Sequence, residues 1–135
     1  DLSRLWEGRL LAQAMAHGDT GGPIHVIPAG QVMARFVRRV EERGGLPGLS
    51  SREDLFLITD KGTRDNIHLN DLGSYLVALT HYAVLYHRSP LGLPAQLNRA
   101  DGTPATPPPP DAAPVLQKVV WQVVTGYRAS GVSKG

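Results

Sequence analysis

The sequence predicts an α/β protein that is mostly helical, with one parallel strand set between two of its helices. Residues 1–43 run helix, strand, helix, the unit from which doubly wound parallel sheets are assembled. Residues 69–86 hold the most apolar stretch, again at helical spacing. An apolar fraction of 41% over 135 residues suits one domain with a core, while 15 Gly and 11 Pro commit much of the chain to turns.

Asp1 to Ala16 reads as a helix: Asp1 or Ser3 can cap it, and Leu5, Trp6, Leu10, Leu11 and Met15 repeat near the 3.6 period. His17 to Pro23 is a turn, because two Gly precede a Pro. Ile24 to Pro28 (IHVIP) is rich in β-branched residues and reads as a strand buried on both faces. Gln31 to Arg43 returns to helical spacing, with Val32, Phe36, Val37 and Val40 on one side. Gly44 to Ser51 is a loop and Asp54 to Thr59 a brief extended segment.

Leu69 to Tyr86 is a long, largely buried helix capped by Asn70 or Asp71, and Ser89 to Pro94 ends it. Residues 97–110 include four consecutive prolines and read as an exposed linker of polyproline character. Residues 111–128 suit a helix capped by Asp111, opened by Pro114 and closed near Gly126, although VVWQVV alone also has strand character. The expected plan is a unit over 1–96, the linker, a C-terminal helix packing on the same domain, and a tail over 129–135.

Fourteen Lys and Arg against 12 Asp and Glu leave a formal charge of only +2. The one cationic cluster, Arg35, Arg38, Arg39 and Arg43, is interrupted by Glu41 and Glu42, a self-neutralised face rather than a stripe for a phosphate backbone, so no nucleic-acid partner is expected. The absence of Cys removes disulfides, thiolate zinc sites and cysteine nucleophiles. No apolar run approaches the ~20 residues of a membrane span, and no targeting pattern lies within these residues.

The strongest chemical constellation is Asp65 to Tyr75, DNIHLNDLGSY. Asp65 stands three residues before His68, a spacing at which the carboxylate can reach imidazole Nδ1 and leave Nε2 outward as a base; the competing reading is a local cap beside a surface histidine. His81 and His87, six apart, fall on different faces of one helix, and His17 and His25 have no carboxylate at ligand spacing. Tyr75, Tyr82 and Tyr86 read as core packing.

The string DNIHLNDLGSYLVAL resembles the last sequence block of the SGNH (GDSL-like) hydrolases, in which Asp-x-x-His precedes an Asn, a nearby Gly and a buried helix. IHVIPAGQVMARF looks like the strand and helix before that block, and HYAVLYHRSPLGLP is similar to bacterial members of the superfamily. The resemblance implies the C-terminal part of a three-layer α/β/α flavodoxin-like fold. It implies a catalytic dyad with His68 as general base and later general acid and Asp65 holding its tautomer. It further implies serine-dependent hydrolysis of a small-molecule, carbohydrate or lipid ester, with no metal or other cofactor.

The departures are definite. The family's Gly-Asp-Ser nucleophile motif and Gly-x-Asn-Asp oxyanion motif do not occur. Gly18-Asp19-Thr20 is the nearest counterpart, but it follows a helix rather than a strand, and Ser50, Ser51, Ser74 and Ser89 also lack a strand-to-helix elbow. The expectation is a portion of a hydrolase, inactive alone and completed by an N-terminal segment carrying nucleophile and oxyanion donors. The alternative is a non-catalytic helical interaction or structural domain, expected to be a homo-oligomer, in which Asp-x-x-His is incidental.

Overall fold

Val32, Phe36 and Val40 recur every four residues, and in the computed structural model they form the buried stripe of α3 (Ala29–Glu41). Residues 2–17, 21–46 and 48–134 are described. Helical backbone also runs through α1 (Leu2–Trp6), a π-helical stretch (Glu7–Leu11) and α2 (Ala12–Ala16), followed later by α4 (Asp71–Tyr86) and α5 (Ala112–Gly126). Asp1, Gly18, Asp19 and Thr20, and with them the Asp1 cap and the Thr20 nucleophile, lie outside the described residues.

The core is helix on helix. Leu116, Val119, Val120 and Val124 of α5 are wholly buried, and α5 packs against both α3 and α4, which also touch each other. Leu76, Leu79 and Ala83 supply the facing side of α4. The ambiguity of VVWQVV thus resolves as helix. Asp111 stands at its N-cap but makes no capping bond; the Pro109 carbonyl instead accepts from Ala112 and Ala113 at 2.8 and 3.2 Å. Among the described residues no helix is long and apolar enough to cross a membrane.

The expected parallel strand and three-layer flavodoxin-like fold are overturned. Among the described residues the sheet is a two-stranded antiparallel one, β1 (Phe56–Ile58) with β2 (Arg64–Leu69). Residues 24–28 form no ladder: Val26 and Pro28 are buried, Ile24 and His25 are exposed, and Val26 N–H donates to the Ala129 carbonyl at 2.8 Å. A β-branched run becomes a strand only when another segment completes its hydrogen bonds, and Pro28 removes one donor outright.

The hairpin has an uneven register. Phe56 pairs with Leu69 and Ile58 with Arg64, so two steps along β1 face five along β2, and residues 65–68 lie opposite Leu57 alone. Such a bulge bends the strand and re-aims side chains that ordinary alternation would send to opposite faces. The connecting turn closes through Thr59 N–H to the Thr63 carbonyl and Gly62 N–H to the Thr59 carbonyl, both 2.8 Å, with Gly62 at φ 73°.

Two polar clasps hold the segment after α4. The buried Gln117 amide accepts from Gly92 N–H at 2.9 Å and donates to the Leu93 carbonyl at 2.9 Å and the Tyr75 hydroxyl at 3.0 Å. Arg99 donates to both oxygens of Asp71, at 3.0 and 2.6 Å, and Thr106 N–H adds 2.8 Å, drawing the Pro-rich segment onto α4. These donors, Arg99 first, hold the Asp71 carboxyl down at about 2. Gln117→Leu keeps a similar volume but removes three hydrogen bonds, those to exposed Gly92, half-buried Leu93 and the buried Tyr75 hydroxyl, which keeps its bond to the Pro94 carbonyl, so a loss of about 2 kcal/mol is expected in urea unfolding.

Candidate active site

Asp65 is fixed by its own backbone before it touches anything else. Its Oδ1 accepts from the N–H groups of Ile67 and His68 at 2.6 and 2.9 Å, a local turn that the register excess of β2 makes room for. Its Oδ2 then lies 2.8 Å from His68 Nδ1. All three contacts favour the carboxylate, with the His68 and Ile67 backbone donors first and the imidazole after them, and hold its carboxyl at about 2.

The imidazole is thereby turned so that Nδ1 is occupied and the Nε2 edge faces outward; the side chain is 71% exposed against 22% for Asp65. With the proton on Nδ1 shared to the carboxylate, Nε2 carries the lone pair of a base. The two residues singled out from sequence therefore meet in the geometry that their spacing anticipates.

Asn70 anchors this pair to the fold. Its Oδ1 accepts from Gly73 N–H at 3.0 Å as the cap of α4, while Nδ2 donates to the carbonyls of Asp54 and Phe56 at 2.8 and 3.2 Å. The strand bearing His68 is thus tied at one residue both to the helix that follows and to the start of β1 with the turn before it. Asn70 was legible as a cap; its second attachment was not, because the partners lie in a segment of no helical period.

The other candidates are placed elsewhere. Among the described residues no hydroxyl bonds His68: Ser50 donates to Asp54 at 3.1 Å, Ser89 accepts from Leu91 N–H at 3.3 Å, and Ser74 lies exposed on α4. His81 Nδ1 bonds the Val77 carbonyl within α4 at 2.9 Å. His25 and His87 do approach each other, edge to face at 6.1 Å between ring centroids, a contact that their distance in sequence conceals. Tyr75 is buried, and Tyr82 and Tyr86 stack at a tilt, 5.2 Å apart. No three His, Asp or Glu side chains gather as a metal site among the described residues.

The pair can orient and accept a proton; acyl transfer also needs a nucleophile and donors for the oxyanion. Because backbone donors lead the stabilisation of the Asp65 carboxylate, His68→Ala is expected to raise its carboxyl only part of the way back to the ordinary value, as read from the Asp65 carboxyl carbon in an NMR acid titration. Comparison with protein-family models, curated proteins and solved structures returned no match for this chain.

Proposed function

We propose that this chain supplies the His–Asp part of a serine-dependent ester hydrolase of the SGNH kind, acting on a small-molecule, carbohydrate or lipid ester. Nucleophile and oxyanion donors would come from residues outside these 135. The supporting observation is the carboxylate at 2.8 Å from His68 Nδ1, itself pinned by two backbone donors, with the Nε2 edge presented outward. His68 Nε2 accepts the proton of the serine hydroxyl as its oxygen bonds the ester carbon. The C–O bond of the alcohol then breaks, and the alcohol leaves with that proton. Water repeats the sequence on the acyl-enzyme to release the acid and regenerate serine.

The test is an assay of the native gene product, with whatever the gene encodes beside these residues, against p-nitrophenyl acetate and a fluorophosphonate label. Labelling of a serine and turnover that disappears in His68→Ala are expected, whereas residues 1–135 alone do no better than their own His68→Ala control. Turnover indifferent to His68, or a native product with no labelled serine, overturns the reading. A non-catalytic interaction domain is the second reading, favoured by Leu5, Trp6, Leu10 and Met15 lying exposed along the N-terminal helical stretch. It requires that sedimentation find a stable oligomer and that no ester turn over.

A further inference from the structure

One side of α4 and the loop over residues 95–106 line an open cleft of about 350 Å³, and His68 is not part of its lining. Its walls are largely small and apolar: Ala78 from α4, with Ala95, Leu97, Ala100 and Ala105 from the loop. The volume lies at the lower end of the range for small-molecule sites.

The charges at its edge are already spent. Asp71 and Arg99 satisfy each other through two bonds, Thr106 N–H takes a further share of Asp71, and the remaining Arg99 nitrogen donates to Thr103 Oγ1 and the Pro104 carbonyl at 3.3 and 3.0 Å. A charged ligand would have to break this pairing or enter an apolar cleft uncompensated. Two polar side chains in the lining, the Ser74 hydroxyl and the Asn98 amide, make no hydrogen bond to the described residues. Between them they offer donors and acceptors without formal charge.

We propose that this cleft is a binding site for a small uncharged molecule with an apolar body and a hydroxyl or carbonyl group, the body against the alanines and the polar group on Ser74 or Asn98. The site stands independently of the chemistry proposed for His68.

The experiment is an amide NMR titration with three probes of one shape: benzyl alcohol, benzoate and benzylammonium. Benzyl alcohol is expected to give saturable shifts at Ala78, Ala95 and Ala105 in the millimolar range, and the two ions at least tenfold weaker binding. Ser74→Ala combined with Asn98→Ala, both at exposed positions, should weaken benzyl alcohol at least fivefold, Ala78→Phe should block it, and His68→Ala should leave it unchanged. No saturable shift with benzyl alcohol, equal binding of either ion, or undiminished binding in the double variant overturns the proposal.

Discussion

Gly73→Ala is expected to destabilise the chain by about 2 kcal/mol, against the helix preference of the two residues. In an unconstrained helix the change would gain roughly 1 kcal/mol. Here a Cβ at position 73 would sit 2.5 Å from the Leu55 carbonyl oxygen and 2.9 Å from Leu69 Cδ2. The leucine can rotate; the carbonyl is backbone and already accepts from Asn70 N–H at 3.0 Å. Separating α4 from Leu55 therefore strains that bond together with those from Asn70 to Asp54 and Phe56. Overpacking at ~1–3 kcal/mol plus one weakened buried hydrogen bond outweighs the propensity gain. Urea unfolding of Gly73→Ala beside Ser74→Ala, one exposed position along, measures the difference; equal midpoints would mean that α4 does not approach Leu55 so closely.

Asp65→Asn, tested in the native gene product, is expected to lower kcat by roughly 10³–10⁴ while leaving thermal stability nearly unchanged. The carboxylate uses both oxygens, one for two backbone N–H groups and one for His68 Nδ1. An amide has a single oxygen. If it keeps the backbone donors, its NH₂ faces Nδ1 and selects the tautomer with the proton on Nε2, which can no longer accept one from serine. Asp65 is thus a positioning residue, and the readout that separates this role from a structural one is the His68 tautomer. Long-range ¹H–¹⁵N spectra should show the proton moving from Nδ1 in the wild type to Nε2 in the variant. A tautomer unchanged by the substitution would remove Asp65 from the mechanism.

The parts of the molecule readable in advance are those whose partners are close in sequence. The stripes Val32, Phe36, Val40 and Leu116, Val119, Val120 determine their helices through a period internal to each segment, and Asp65 reaches His68 across three residues. Ile24 to Pro28 misleads because strand propensity says nothing about whether a neighbour exists. Of the β1–β2 hairpin, composition marks only a brief extended segment over 54–59, with Asp60-Lys61-Gly62 as a turn signal between two short runs. Its bulge has no such signal, since register is a property of the pair. Gln117 with Tyr75 and Arg99 with Asp71 are 42 and 28 residues apart, so neither clasp leaves a local trace.

The central place of α5 also sets an order of events. A nascent chain synthesised only as far as residue 111 carries α3 and α4 but lacks the helix against which both pack. Until α5 emerges, Val32, Phe36, Leu76 and Leu79 have no complete surface to close on, so the core is sealed only after α5 has been made and the earlier helices wait with apolar faces uncovered. The Asp65–His68 turn, being local, is free to form before that closure, whereas the Gln117 clasp on residues 92–93 belongs to its final step.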